Sequence, residues 1–73
     1  MPLAFAPQNV AVTITAVRAE DRVKKRLTAL GLLEGETVTL LSCQGGSVIL
    51  ALKEGRLCLD RTLASKIAVA VGA

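Results

Sequence analysis

The two cysteines, Cys43 and Cys58, are the residues of this sequence with the greatest chemical reactivity. A thiol becomes a strong nucleophile where a neighbouring base such as histidine removes its proton, and the chain contains no histidine. The two residues also lack the Cys-x-x-Cys spacing that is typical of redox and zinc motifs. We therefore interpret both as small, half-buried apolar groups with no catalytic role and no shared metal site.

Glu34 and Glu36 form a close pair of carboxylates on either side of Gly35. Carboxylate oxygens can bind Mg²⁺ or Fe²⁺, but two of them alone make a weak site. Solvated turn residues are the simpler interpretation of this pair. Neither Gly31 nor Gly35 is followed by the Gly-Lys-Ser/Thr sequence that binds phosphates. The sequence therefore predicts a protein that is not an enzyme and has no catalytic residue, metal site or cofactor.

A basic cluster, Arg22 with Lys24, Lys25 and Arg26, is the strongest candidate for recognition. At about 100° of rotation per helical residue, Arg22, Lys25 and Arg26 project as one stripe and Lys24 points elsewhere. An ordinary solvated helix face would show the same pattern of basic residues, so this is the alternative interpretation of the stripe. As a docking surface, the stripe would speed association with an acidic partner and set its orientation.

Length and composition restrict the class of protein. The chain has 73 residues, a net charge of +3 and 52% apolar residues, but one Phe and no Tyr or Trp. This predicts one domain over residues 1–73 with a modest core of Val, Leu, Ile and Ala. The first residues lack a basic n-region, and no apolar run approaches the ~20 residues of a membrane span. We expect a soluble, cytoplasmic protein.

The helix that must carry the basic stripe is predicted from Ala19 to Leu30. Asp21 suits the N-cap, because its carboxylate can accept hydrogen bonds from the free amides of the first turn. Apolar residues at i, i+4 and i+7 form the stripe that would face the core: Val23, Leu27 and Leu30. Gly31 suits the left-handed C′ position of a Schellman motif, in which Leu32 would contact Leu27.

Alternation of apolar and polar residues predicts strands in the rest of the chain. They run over Val10 to Val17, Glu36 to Cys43, Ser47 to Leu52, Arg56 to Asp60 and Lys66 to Val71. In the first strand the core face is expected to contain Val10, Val12, Ile14 and Ala16. Glycine-containing turns are predicted at Gly35, Gln44-Gly45-Gly46 and Lys53-Glu54-Gly55.

Three further segments complete the prediction. An N-terminal arm, Met1 to Asn9, would be held to the core by Leu3 and Phe5, and Arg61 to Ser65 would form a single helical turn. Gly72 and Ala73 would be a tail. Five short strands with tight turns favour a mainly β fold, because a closed or half-closed barrel avoids the exposed edges of a flat sheet. The helix is inserted after the first strand.

The run RLTALGLLEGETVTLL, Arg26 to Leu41, resembles the signature of the FeoA family, small cytosolic partners of the ferrous iron transporter FeoB. The resemblance rests on Arg26-Leu27, Leu30-Gly31-Leu32 and Gly35, and weaker matches extend it over essentially the whole chain. It implies an SH3-like five-stranded barrel, a cytosolic location and a role in ferrous iron uptake through contact with FeoB. It implies no catalysis.

We therefore expect a small cytosolic adaptor that binds the cytosolic part of a FeoB-type transporter, which would recruit it to the inner face of the membrane. The expected partner-binding residues are Arg22, Lys25 and Arg26 for orientation, with Leu32 and Leu33 as apolar contacts. Leu27 and Leu30 are assigned to the core. Weak self-association is a further expectation for a small apolar barrel.

Two alternatives remain open at this point. The Gly-x-x-Val opening of the second strand, Gly35 to Val38, resembles ribosome-associated barrels of the KOW type, which would make the chain a nucleic-acid-binding module. Against this, three charges without aromatic residues on the strands are a weak nucleic-acid signal. Direct binding or sensing of a transition metal ion such as Fe²⁺ is the weakest alternative, because histidine is absent.

Overall fold

A computed structural model describes residues 1–71, in which five strands and two helices follow a short 3₁₀ helix at Leu3–Phe5. The strands are β1 (Ala11–Val17), β2 (Thr37–Gln44), β3 (Ser47–Leu52), β4 (Gly55–Asp60) and β5 (Ile67–Val71), and the helices are α1 (Asp21–Ala29) and α2 (Arg61–Ala64). Every predicted strand is confirmed to within one residue at each end, and so is the helical turn after β4. The expected tail lies outside the described residues.

The strands form one antiparallel sheet in the order β4-β3-β2-β1-β5. β4 and β5 are therefore the two edges, and the sheet makes a half-closed barrel. Helix α2 contacts β4 and β3, the 3₁₀ helix contacts β5 and β2, and the two contact each other. These short elements connect the two sides of the sheet. The mainly β, SH3-like fold with one longer helix after the first strand is confirmed.

The core is aliphatic, as the composition predicts. Alternate residues of all five strands point into it: Val12, Ile14, Val38, Leu40, Val48, Leu50, Leu59, Ile67 and Val69. Leu27 from α1 and Leu3 from the N-terminal segment complete it. Burying each of these side chains contributes about 1.5–3 kcal/mol, so the half-closed barrel depends on many similar contacts and on no single one.

One strand departs from simple alternation. The pairing of β1 with β5 shifts between Ile14 and Ala16, so that one extra residue, Thr15, is accommodated in β1. Such a bulge moves the following side chains to the opposite face. Val17 is therefore buried and Ala16 only half-buried, whereas Val10 lies before the strand and is exposed. The expected core face was wrong at Val10 and Ala16.

The N-terminal segment is held by different residues from those expected. Leu3 is fully buried, but Phe5 is 67% exposed, and Ala6 is buried instead. In a 3₁₀ helix side chains at i and i+3 lie on one side, which places Ala6 beside Leu3 and turns Phe5 outward. Met1 then covers the edge of β5, where its carbonyl accepts a hydrogen bond from the Val69 N–H at 2.7 Å.

Helix α1, predicted from Ala19 to Leu30, spans Asp21–Ala29, with Leu30 as its C-cap. Glu20 occupies the N-cap in extended conformation without a capping side-chain hydrogen bond, so Asp21 is the first helical residue and not the cap. In that position its carboxylate still interacts favourably with the helix dipole. At the other end, the Gly31 N–H bonds the Thr28 carbonyl at 2.9 Å and the Leu32 N–H bonds the Leu27 carbonyl at 2.8 Å. The predicted Schellman motif is confirmed.

Candidate docking surface

The end of α1 separates four leucines into two environments. Leu27 and Leu32 are 1% and 0% exposed, whereas Leu30 and Leu33 are 40% and 37% exposed. The Schellman motif explains this, because its C″ residue folds back over C3 and covers it with its own side chain. Two predictions are therefore wrong: Leu30 is not a core residue, and Leu32 is not accessible to a partner. The burial of Leu32 could be foreseen from the sequence, because the predicted Schellman motif places Leu32 against Leu27.

The basic stripe is exposed along the outer side of α1. Arg22, Lys25 and Arg26 are all exposed, whereas Leu27, the next residue in the chain, faces the core. Arg22, Arg26 and Leu30 stand at successive i, i+4 positions, which are neighbours on a helix surface. The Leu30 N–H still bonds the Arg26 carbonyl at 3.2 Å, so the helical spacing extends to this leucine. The stripe and the exposed leucine thus form one continuous strip, which we call the α1 strip.

Lys24 extends the charged surface. Together with Lys25 it borders a shallow depression on α1 that Asp21 and Thr28 also line. The positive surface is therefore wider than the three-residue stripe that helical geometry predicts.

A groove adjoins the C-terminal end of the α1 strip. It lies between the end of α1 and the β3–β4 hairpin, and its lining includes Leu30, Gly31, Glu36, Leu52 and Glu54. A Cβ placed on Gly31 would lie 3.9 Å from Cδ1 of Leu52, which shows how closely the helix end approaches β3. Sequence reasoning missed this groove, because its residues come together only through the fold.

The two cysteines lie on different sides of the sheet. A shift in the β2–β3 pairing between Leu40 and Ser42 turns Cys43 toward the core, opposite buried Val48, and it is half-buried as expected. Cys58 pairs with Ile49 on the outer face and is exposed, contrary to expectation. β3 separates the two thiols, as the order of the strands predicts.

Glu34 and Glu36 flank the turn at Gly35, and no third acidic or thiol group joins them among the described residues. Within residues 1–71 no group of three or more His, Cys, Asp or Glu side chains comes together in a way that could hold a metal ion. Glu34 is exposed and Glu36 half-buried beside the groove. The α1 strip presents positive charge beside an exposed leucine, and these are properties of a docking site.

Phe5 is the single aromatic residue of the chain and lies on the 3₁₀ helix, away from the strands. Barrels that bind single-stranded nucleic acid stack bases on aromatic residues of their strands. Strands β1 to β5 present no such platform. The geometry thus does not favour the nucleic-acid alternative over protein docking.

The family model of the FeoA domain matches residues 1–71. The chain belongs to the FeoA family. The resemblance carried by Arg26 to Leu41 is therefore confirmed, and the FeoA-type chain has its Leu-Gly-Leu step at the end of α1. No curated protein sequence matches it at a significant level. No helix in the described part of this FeoA-family chain is long and apolar enough to cross a membrane.

Solved structures place the FeoA-family fold in two contexts. FeoA from Chlorobium tepidum matches with a TM-score of 0.89 and 28% identity, over 100% of this chain and 71% of that protein. FeoA from Stenotrophomonas maltophilia, solved with zinc and described as a prokaryotic SH3 domain protein, matches with a TM-score of 0.82 and 24% identity, over 96% of this chain and 89% of that one.

The second context is a transcriptional repressor. A manganese-dependent repressor matches with a TM-score of 0.87 and 14% identity, over 100% of this chain but only 41% of its own. Such a likeness establishes the fold alone, since one fold serves several functions. The FeoA-domain match and the FeoA structures together support an accessory role in ferrous iron transport.

Proposed function

We propose that this chain binds the cytosolic part of a FeoB-type ferrous iron transporter and modulates its activity, as a cytoplasmic accessory protein with no catalytic step of its own. The observation that carries the proposal is the FeoA-domain match over residues 1–71. The proposal treats residues 1–73 as one SH3-like domain that reaches the inner face of the membrane through its partner. One core cluster with members from Leu3 to Val69 supports this treatment.

The α1 strip is the proposed contact surface. Arg22, Lys25 and Arg26 orient the domain against acidic residues of the transporter, and such charges act chiefly on association rate and specificity. Leu30, next to Arg26 on the helix surface, and Leu33, exposed just after the turn at Gly31, supply the apolar contacts. An apolar centre with a charged rim is the usual composition of a protein interface. Leu32 has no part in it, since it is fully buried.

The proposal can be tested with the purified chain and the full-length FeoB-type transporter of the same organism in a lipid nanodisc. Biolayer interferometry measures the affinity of wild-type protein and of an Arg22→Glu/Lys25→Glu/Arg26→Glu variant. We expect the triple variant to bind about tenfold more weakly or worse, mainly through slower association, and the wild-type affinity to fall as salt is added.

The matched control reverses three exposed basic residues elsewhere, Arg18→Glu/Arg61→Glu/Lys66→Glu. It has the same net charge as the first variant, so retained binding would separate a local contact from a general charge effect. A folded α1 variant with wild-type affinity would show that the docking surface is wrong. Wild-type protein that neither binds the transporter nor changes its iron uptake would show that the proposed function is wrong.

A further inference from the structure

The two edges of the sheet are not equivalent. Along β5, Met1 accepts a hydrogen bond from the Val69 N–H, and its amino group donates to the Val69 carbonyl at 2.9 Å. β4 pairs with β3 on one side and has no strand partner on the other within residues 1–71. A row of free backbone N–H and C=O groups is a template for pairing with another strand. A strand that pairs with the free edge of β4 must complement the backbone groups and side chains along it.

The ladder between β3 and β4 determines which groups are free. Leu52 pairs with Gly55 across the hairpin, and at the far end the Arg61 N–H bonds the Gly46 carbonyl at 2.8 Å. Backbone groups of alternate residues point to the same side of an antiparallel strand. The odd-numbered residues of β4 therefore bond β3, and Arg56, Cys58 and Asp60 direct their backbone groups outward.

We propose that the free edge of β4 pairs with β4 of a second copy of this chain, antiparallel about a two-fold axis at Cys58. In this register the two Cys58 residues exchange N–H and C=O bonds. The Asp60 N–H of each copy donates to the Arg56 carbonyl of the other. The same three residues whose backbone groups are free thus satisfy one another, as a two-fold interface requires.

Side-chain charge fits the same register. Arg56 and Asp60 lie on the outer face of β4, both are exposed, and the two-fold axis places Arg56 of one copy opposite Asp60 of the other. Opposite charges at directly facing positions stabilise a strand pair. A shift of two residues would place a charge against Cys58 and lose this match. The sequence of the edge is therefore complementary to itself in one register.

The centre of the proposed interface is apolar. Cys58 pairs with Ile49, which is 39% exposed on the outer face of β3. Asp60 keeps one carboxylate oxygen on the Thr62 N–H at 2.6 Å, which leaves the other oxygen for Arg56 of the second copy. Because the contact is small, we expect weak association that depends on concentration and is reduced by salt.

Sedimentation velocity from micromolar to millimolar concentration, with reducing agent present, tests the proposal directly. Wild-type protein should show a monomer–dimer equilibrium, and Arg56→Glu should weaken it about tenfold, because two attractive pairs become repulsive. Asp60→Lys should do the same. A mixture of the two variants should dimerise like wild type. In the mixed dimer the carboxylate introduced at position 56 of one copy faces the ammonium introduced at position 60 of the other, and the unchanged Asp60 faces the unchanged Arg56. Lys66→Glu is the control, an exposed charge away from β4 that should change nothing.

Thiol cross-linking provides a second measurement that does not depend on the charge variants. Facing hydrogen-bonded residues of antiparallel strands have Cα atoms about 5.5 Å apart, within reach of a short bismaleimide. A Cys43→Ser protein should be cross-linked to a dimer and a Cys58→Ser protein should not. Monomer at all concentrations, a dimer that tolerates Arg56→Glu, or cross-linking without Cys58 would each overturn the proposal. None of these outcomes bears on transporter binding by the α1 strip.

Discussion

Two leucine pairs at the end of α1 have the same chemistry and opposite environments. Leu27 and Leu32 are at most 1% exposed, whereas Leu30 and Leu33, which alternate with them along the chain, are 40% and 37% exposed. The difference arises from the chain reversal at Gly31, which returns Leu32 to the barrel and leaves Leu30 at the rim. Residue type therefore does not separate buried from exposed leucines in this segment, and the backbone geometry does.

The largest expected effect is on the buried pair. Leu27→Ala or Leu32→Ala should lower the free energy of unfolding by about 2–5 kcal/mol, because each leaves a cavity in a small core. The measurement is urea denaturation followed by circular dichroism.

Leu30→Ala and Leu33→Ala are the matched controls and should stay within about 0.5–1 kcal/mol of wild type. Equal losses at Leu27 and Leu30 would contradict the division into a buried and an exposed pair.

The reversal itself can be altered at Gly31, whose φ is +93°. Gly31→Ala should cost about 1–2 kcal/mol, because an L-residue is strained in the left-handed region. Its Cβ would meet Leu52 Cδ1 at an ordinary 3.9 Å, so the loss would come from the backbone and not from a clash.

Thermal unfolding should therefore show a lower Tm for Gly31→Ala and an almost unchanged one for Gly46→Ala. Gly46 lies in open space and is not among the glycines with positive φ. If both substitutions had the same effect, the conformation of the turn would not be what separates the two leucine pairs.

The smallest expected effect is on partner binding by the exposed pair, Leu30 and Leu33. A Leu30→Gln/Leu33→Gln variant should keep wild-type stability but bind the FeoB-type transporter about fivefold more weakly, a loss of about 1 kcal/mol from a partly exposed contact. Isothermal calorimetry with the detergent-solubilised transporter measures it. Unchanged affinity in a folded variant would confine recognition to the basic residues of α1.

Local interactions explain why much of the fold follows from the sequence. β3, Ser47–Leu52, is bounded by tight turns and matches its prediction at both ends. The Schellman motif at Gly31 depends on residues that are adjacent in the chain, so Leu27, Gly31 and Leu32 were sufficient to predict it. The family signature spans the same junction, which is why it was readable in the sequence.

Other features depend on packing between distant segments. Thr15 is accommodated as a bulge because β1 must pair with β5, and Phe5 turns outward because the 3₁₀ helix places Leu3 against the core. No periodicity in the sequence encodes either outcome.

For the candidate site, the residue pattern was sufficient to predict basic side chains projecting from a helix that ends at Gly31. The exposure of Leu30 beside them and the burial of Leu32 depend on the folded chain. Helical periodicity assigns a direction to each side chain, but burial depends on what stands opposite: Leu27 meets the core, whereas Leu30 lines an open groove.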